Sequence, residues 1–355
     1  IRALDDWSEA PAAFDAATYP SLIVAQSCPP RSLESWRVPQ ATEADDGLRL
    51  AVHRGRLEIA WRLPQDALPL DDTAGAPWIA LPPDARAAFD RLARDGVCLA
   101  DAGLGVATLG VKCGCNEAFL ARLTGANEAS IAISDGLRTA VLESRHLRPV
   151  LRGESVRPWR PVAGDERLVF PYTDDGRLLP TLAPALHDWL RPWRPRLEAR
   201  TDARASRAWW SLFRTEGARH DRPRVVWADI GRAVQALVLP PGDRTVPLNS
   251  CYVLHTRDLE DAYALSALLN SPLASAWVGA LAEPARGGYR RHLAWTMARL
   301  PVPDDWARAR DLLAPLGQRG AHGEPPGRSE LLGAVLDAYR VRLRTMSPLL
   351  GWMTR

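Results

Sequence analysis

Lysine is almost absent from this chain: Lys112 is the only one among 45 basic residues, and all the others are arginine. Cysteine is also scarce, with five residues in 355. A small, odd number of cysteines argues against a disulfide framework and fits a reducing compartment, so we expect a cytoplasmic location. The chain has no run of about 18 apolar residues and no signal peptide pattern at its start, so no transmembrane helix is expected.

The remaining composition is that of an ordinary globular protein. Hydrophobic residues make up 46% and charged residues 25% of the sequence, and 355 residues are enough for two domains with their own cores. The first residue is isoleucine rather than methionine, and we therefore expect the sequence to be part of a longer chain.

The net charge of +3 conceals an uneven distribution. Residues 1–100 carry 10 arginines against 15 acidic residues, whereas residues 138–219 carry 16 arginines against 10 acidic residues. A concentration of basic residues in one region favours a surface that binds a polyanion. A G+C-rich genome would also favour arginine codons, but guanidinium groups are in either case suited to bidentate contacts with phosphate and guanine.

Periodicity and turn signals predict a mixture of strands and helices. The apolar run that ends the segment 14–27 favours a buried strand, and the alternation over 48–63 favours a hairpin that turns at 54–56. Further predicted elements are a helix over 84–96 capped by Asp84, strands at 167–171, 224–229, 234–239 and 251–255, a helix over 182–200 interrupted at Pro192 and Pro195, a helix over 258–281, a flexible linker at 317–330 and a capped helix over 329–344. The fold class predicted from these elements is α+β.

Two segments carry the most informative pattern, GVKCGCNEAFL at 110–120 and LRGESVRPW at 151–159. They are followed in order by LVFPY at 168–172, LEARTDARASRAWWSLFR at 197–214, PRVVWADI at 223–230, LNSCYVL at 248–254, LSALLNSPLASAW at 265–277 and GGYRRHLAWTMARLPVP at 287–303. This order resembles the TaqI-like specificity domain, the DNA target-recognition part of adenine-N6 DNA methyltransferases and of type IIG restriction–modification enzymes. One departure is Cys113, which stands where the family usually has threonine.

The resemblance implies a division of the chain into three parts. Residues 101–305 would be an α+β target-recognition domain of mixed strands and short helices. Residues 1–100 would be an edge remnant of an α/β methyltransferase domain plus a connector, and residues 306–355 a linker and an amphipathic helix. The implied function is to bind duplex DNA and read a short site. A catalytic half, on a missing N-terminal part or on another chain, would then methylate adenine with S-adenosylmethionine.

The candidate DNA contacts are cations, amides and aromatic side chains at or near these motifs, because such groups bind phosphates and base edges. They are Lys112, Asn116, Arg152, Arg157, Arg160, Trp210, Arg214, Asn249, Tyr289, Arg290 and Arg291. Each has a structural alternative: the segment around Lys112 can be a plain turn, Trp159 and one of Trp209 and Trp210 can be core residues, and the asparagines can cap turns.

No part of the sequence supplies a recognisable catalytic motif. None of the four Pro-Pro pairs lies in an Asn/Asp/Ser-Pro-Pro-aromatic motif, with which the resembled enzymes hold the flipped adenine. Nuclease motifs of the type Pro-Asp…Asp/Glu-x-Lys need a lysine, and the only lysine, Lys112, does not stand in such a motif. The Cys113–Cys115 pair lacks the further ligands of a zinc site. We expect no catalytic residue, metal or cofactor in this chain. Three alternatives stay open: half of a split enzyme, a degenerate remnant, and a scaffold that binds protein through tryptophan-rich surfaces.

Overall fold

The structure, a computed structural model, describes residues 1–9, 20–25, 48–54, 56–64, 67–127, 129–201, 208–285 and 287–353. Helices and strands are mixed along this length, so the predicted α+β class is confirmed. That the first hundred residues are a remnant of a catalytic domain stays a prediction.

The elements are given in chain order. Up to residue 143 they are β1 (Ala3–Glu9), β2 (Ser21–Val24), β3 (Leu48–Arg54), β4 (Leu57–Leu63), α1 (Pro83–Arg94), β5 (Gly96–Cys98), β6 (Ala107–Leu109), α2 (Asn116–Phe119), β7 (Leu120–Ala126), β8 (Ser130–Ser134) and β9 (Thr139–Glu143). The middle part contains β10 (Leu147–Leu151), β11 (Glu166–Val169), α3 (Pro184–Leu190), α4 (Arg194–Glu198), β12 (Arg224–Ala228), β13 (Ile230–Gly231), β14 (Ala236–Leu239), β15 (Val246–Pro247) and β16 (Cys251–His255). The last part contains α5 (Leu259–Leu269), α6 (Pro272–Leu281), β17 (Pro284–Ala285), β18 (Tyr289–Arg291), α7 (Ala294–Ala298), β19 (Pro301–Pro303), α8 (Trp306–Ala321), α9 (Arg328–Ala338) and α10 (Leu343–Met353).

The strands form three larger sheets and two small ones. The N-terminal sheet has the order β2-β1-β3-β4, with a parallel pair formed by β1 and β3. A six-stranded sheet has the order β15-β10-β11-β7-β8-β9, and a four-stranded central sheet has the order β14-β12-β16-β6. The small sheets are β13-β18-β17 and β19-β5. Most pairs are antiparallel, and β10 with β15 is a further parallel pair.

The larger hydrophobic core is shared by segments from the beginning and the end of the chain. The rings of Phe89 in α1 and Trp277 in α6 stack in this core with their centroids 4.6 Å apart. A second core, which includes Phe119, Phe170 and Trp189, lies against the six-stranded sheet. The boundaries at 100 and 305 stay predictions, since a shared core does not tell which segments fold alone.

Most local predictions are confirmed. The hairpin at 48–63 is the antiparallel pair β3–β4, and the four predicted strands correspond to β11, β12, β14 and β16. The helix over 182–200 is interrupted after Leu190 and continues as α4, as its prolines require. The helix predicted over 84–96 begins earlier, at Pro83. The prediction that Asp84 caps this helix was wrong, because Asp84 lies in its first turn. The helix also ends before the predicted residue 96, since Gly96 already belongs to β5.

The single helix predicted over 258–281 is two helices. α5 ends at Leu269, α6 begins at Pro272, and their axes are bent by 69°. The Oγ of Ser271 accepts a hydrogen bond from the Ala274 N–H at 3.0 Å, which caps α6, and Pro272 cannot donate to a preceding turn. No single helix among the described residues is long and apolar enough to cross a membrane; only the bent pair α5–α6 has the necessary composition.

Of the flexible linker predicted at 317–330, only residues 322–327 form a connection between helices. Residues 317–321 are the last turns of α8, and α9 begins at Arg328. The glycines that suggested flexibility allow close packing instead: a Cβ on Gly317 would lie 2.1 Å from the Tyr263 carbonyl oxygen. The helix predicted over 329–344 ends at Ala338, because Arg340 adopts a φ of 55° and the chain restarts as α10.

The apolar strand predicted within 14–27 exists in part as β2, but the prediction that it is buried was wrong. Leu22, Ile23 and Val24 are 56%, 48% and 46% exposed. β2 lies at the edge of the N-terminal sheet, where its described partner is β1 alone. The other residues of that segment lie outside the described ranges, apart from Pro20 and Ala25.

Candidate nucleic-acid interface

Segments that are distant in sequence meet at a junction of backbone hydrogen bonds, which we call the loop junction and define as residues 110–112, 151–153, 213–214, 229, 247–251 and 291–292. Lys112 and Phe213 exchange both of their backbone hydrogen bonds, each at 3.0 Å. The next residue towards the N-terminus, Val111, donates its N–H to the carbonyl of Pro247 at 2.9 Å. The motif at 110–120 is thereby joined to the chain segments that carry Arg214 and Asn249.

The LRG motif and β18 join the same junction through Ser250 and Asp229. The Gly153 N–H donates to the Ser250 Oγ at 2.9 Å, and the Asp229 N–H donates to the Ser250 carbonyl at 2.9 Å. The His292 N–H in turn donates to the Asp229 carbonyl at 2.7 Å. The two motifs with the most informative pattern are thus in contact with one backbone segment, residues 247–251.

Gly110 is required by this close packing. A Cβ at Gly110 would lie 2.2 Å from the carbonyl oxygen of Leu248. This distance is too short for any side chain to be accommodated at position 110. Backbone approach of this kind is what glycine permits and every other residue prevents. The glycine of the motif therefore serves the junction rather than a nucleotide loop.

Five of the predicted contacts lie at the loop junction. Lys112, Arg214, Asn249 and Arg291 are exposed there, and Arg152 is half-buried. Burial, followed by the charge of Asp229, raises the pKa of the nearby Tyr252 hydroxyl, while the charges of Arg214 and Arg291 lower it. Arg214 and Arg291 are 77 positions apart, yet both lie close enough to act on the same hydroxyl group. The two guanidinium charges therefore act in the same neighbourhood, around Tyr252 and Asp229.

Arg152 is held in place by a carboxylate. Its Nε and Nη2 donate to the two carboxylate oxygens of Glu166 at 2.8 and 2.9 Å. This hydrogen-bonded pair raises the pKa of Arg152 further, and the guanidinium charge is largely compensated. Arg152 joins the ends of β10 and β11, which fixes the backbone of the LRG motif at the junction.

The hairpin of β17 and β18 presents the other predicted aromatic and basic residues. Tyr289 is 41% exposed, and the guanidinium of Arg232 lies 5.2 Å from the centre of its ring. Arg290 donates to the Ala282 carbonyl at 3.4 Å on the opposite side of the hairpin. Sequence reasoning missed Arg232, because only the pairing of β13 with β18 brings it next to Tyr289.

Four predicted contacts lie away from the junction. Asn116 is exposed at the start of α2, and the Trp210 indole N–H donates to the Leu179 carbonyl at 3.2 Å while the ring packs against the second core. Arg157 donates to two carbonyls of its own turn, each at 2.8 Å. Arg160 lies against Gly323, just beyond α8. Their roles in DNA contact stay predictions.

The cysteine thiols and the histidine at or beside the junction are uncharged at neutral pH. Burial raises the pKa of the Cys113 and Cys251 thiols to about 12, so both are neutral at pH 7. Burial lowers the pKa of His292 to about 4, so its imidazole is neutral as well. Within the described ranges, no group of three or more histidine, cysteine or acidic residues could hold a metal ion. The arrangement is suited to binding an anion along an arginine-rich surface.

No protein-family model matches this chain, and no curated protein matches it in sequence. Among solved structures, the Type IIL restriction–modification enzyme MmeI in complex with DNA superposes with a TM-score of 0.51 and 9% sequence identity. The fold matches that of a restriction–modification enzyme. The match covers 87% of this chain and 42% of the MmeI chain. At this identity the likeness concerns the fold alone, and the chain spans about two-fifths of the length of MmeI.

Proposed function

We propose that this chain binds duplex DNA and reads a short site as the target-recognition part of an adenine-N6 DNA methyltransferase in a cytoplasmic restriction–modification system. The resemblance to the TaqI-like specificity domain supplies the finer terms of this proposal, adenine and the N6 position. S-adenosylmethionine would be bound by the catalytic half and not by this chain.

The observation that carries the proposal is the convergence at the loop junction. Lys112, Arg214 and Arg291 come from three separate motifs, and backbone hydrogen bonds bring their segments together. Exposed cations gathered on one surface can displace the counterions of a phosphate backbone. Asn249 beside them offers an amide that can pair with an adenine edge.

The fold of the chain supports the same proposal. MmeI, which it resembles, is a restriction–modification enzyme whose structure is a complex with DNA. We infer a catalytic partner from two observations: the sequence has no catalytic motif, and the apolar residues of β2 are exposed. A continuous apolar strand is typical of a sheet covered on both faces, yet Leu22 and Ile23, which point to opposite faces, are both exposed. A neighbouring catalytic domain would cover this edge.

The proposal is tested by measuring the affinity for labelled duplex DNA at increasing salt concentration. With about four to six phosphate contacts, log K should fall against log salt with a slope of roughly −4 to −5. A Lys112→Ala/Arg291→Ala variant should bind more weakly, with the slope reduced by about one to two. A matched control is Arg342→Ala/Arg344→Ala, which removes the same charge from exposed positions around the start of α10.

The outcomes separate the alternatives. Equal losses in both double variants would mean that binding depends on net charge and not on the loop junction. A slope near zero, or no binding at low salt, would favour the protein-binding scaffold. Sequence reading is tested separately, by selection from a random duplex pool, which should yield a short preferred site.

A further inference from the structure

A cleft of about 660 Å³ lies beside β18, between the N-terminal sheet and the C-terminal end of α6. Arg290 and Arg291 line one wall of this cleft, and Arg291 also belongs to the loop junction. The lining also includes residues of the N-terminal sheet and of the segment that carries Trp78. The cleft therefore opens directly next to the surface assigned above to DNA.

The lining combines buried apolar residues with aromatic and charged ones. Val52 and Leu81, which are 5% and 3% exposed, belong to the apolar part. Trp78 is 46% exposed and Trp295 is half-buried, so indole surface is accessible inside the cleft. A planar apolar group could stack on an indole there while an anionic group is bound by Arg291.

We propose that this cleft binds one extrahelical nucleotide of the DNA, with its base stacked on Trp78 and its phosphate on Arg291. The inference rests on the proposed function, because the nucleotide would leave a duplex bound at the loop junction. It adds a site on this chain that is separate from any pocket of a catalytic half.

Size and charge favour a nucleotide over a purely apolar ligand. The volume falls within the usual range of small-molecule sites, about 300–1,000 Å³, and a nucleotide with its sugar and phosphate needs more room than a base alone. Three arginines and two carboxylates line the cleft, so its walls are positive overall. The carboxylate of Glu283 provides an acceptor for an exocyclic amino group of a base.

The test compares three labelled duplexes that are identical except at one position. The first is fully paired, the second contains one extra unpaired deoxyadenosine, and the third contains one extra abasic residue at the same place. The abasic duplex has the flexibility of a bulge without the base, so it separates stacking from easy bending. The protein should bind the deoxyadenosine bulge about fivefold or more tightly than the abasic bulge, which is the scale of base–aromatic stacking.

Trp78→Ala should abolish that difference and lower the affinity for the paired duplex much less than the affinity for the deoxyadenosine bulge. Trp78→Phe, which keeps an aromatic face, should retain most of the difference and shows that loss in the alanine variant is not misfolding. Trp7→Leu is a matched control, since Trp7 is 40% exposed but stacks on His53 outside the cleft.

Equal affinity of the unaltered protein for the two bulged duplexes, with the paired duplex still bound, would overturn the cleft proposal alone. A preference for the base-bearing bulge that survives Trp78→Ala would equally overturn it. Failure to bind any of the three duplexes would overturn both this proposal and the proposed function.

Discussion

Arg214 adopts a φ of 54°, in the left-handed region, where a side chain costs roughly 1–2 kcal/mol relative to right-handed backbone. Strained residues persist where the surrounding structure holds them, often at functional positions. The exchange of hydrogen bonds between Phe213 and Lys112 holds this one at the loop junction. The strain thus places an exposed guanidinium on the proposed DNA surface.

We expect Arg214→Gly to separate stability from binding. Glycine removes the strain but makes the unfolded chain more flexible, so the free energy of unfolding should change by less than about 1 kcal/mol. The affinity for duplex DNA should fall, because one cation leaves the junction. Urea denaturation and a DNA titration measure the two effects.

Arg340 offers a matched control, since it has a φ of 55° and lies beyond the end of α9. Arg340→Gly should leave DNA affinity unchanged. If Arg214→Gly kept full affinity as well, Arg214 would have a structural role only.

Asp229 belongs to the loop junction, and one of its carboxylate oxygens, Oδ1, is buried and has no hydrogen-bond partner among the described residues. Burial raises the pKa of Asp229 above its usual value of 3.8, and Arg291 opposes the rise. Because the pKa is higher in the folded state, stability falls as the pH rises from about 3.8 through the folded pKa, and the cost is fully present above that pKa.

Asp229→Asn should therefore raise the melting temperature at pH 7, and this gain should shrink as the pH is lowered towards 3.8. Thermal unfolding followed over a pH series measures the difference between the variant and the parent chain. Glu324→Gln, at an exposed position, should show no such pH-dependent gain. A gain at pH 7 that stayed constant across the series would contradict ionisation as its cause.

At the scale of elements, the break between α5 and α6 depends on the cap at Ser271. This residue is fully buried, and its hydroxyl accepts from the Ala274 N–H. We expect Ser271→Ala to lower the free energy of unfolding by about 1 kcal/mol or more, since an N-cap is lost and an N–H is left without its partner. Urea denaturation measures this loss. Ser347→Ala, at an exposed helical position, should cost less than about 0.5 kcal/mol.

Sequence signals predicted helices and strands well where the structure depends on interactions between residues that are close in sequence. Alternation predicted the β3–β4 hairpin, and two prolines predicted the interruption after α3. The helix over 258–281 was predicted as one, because apolar periodicity continued through the cap signal of Ser271 and Pro272. The linker at 317–330 was predicted from its glycines, but Gly317 packs on Tyr263 of α5 and Gly320 on Trp159, and such contacts between distant segments are decided by tertiary packing.

The candidate site was predictable to the extent that motifs mark it. Lys112, Arg214, Asn249 and Arg291 follow from the motifs, and the structure gathers them. The participation of Asp229, Tyr252 and Arg232 could not be predicted, because it depends on sheet pairings between distant segments. The hydrogen bonds between Arg152 and Glu166 could not be predicted either, because they depend on the register in which β10 pairs with β11.

At the scale of the whole molecule, the motifs of the proposed DNA surface are present in the sequence, but no recognisable catalytic motif accompanies them. The cysteine thiols near the junction are neutral and buried, and the histidine closest to it is neutral at pH 7. Methylating an adenine requires that the base be flipped into a pocket that holds its amino group beside the methyl donor. In the resembled enzymes a Pro-Pro-aromatic motif builds that pocket, and this sequence has no such motif.

We therefore expect the purified 355-residue chain to bind duplex DNA without binding S-adenosylmethionine or methylating the DNA. Methylation should appear when a catalytic half is supplied, because the recognition surface then positions the target base against the donor. Incorporation of labelled methyl groups, with the chain alone and with the added half, measures this directly. The Lys112→Ala/Arg291→Ala variant should lower the rate of the assembled enzyme at limiting DNA, whereas the Arg342→Ala/Arg344→Ala control should not. Methyl incorporation by the chain alone would place the active site within it and contradict the division of labour proposed here.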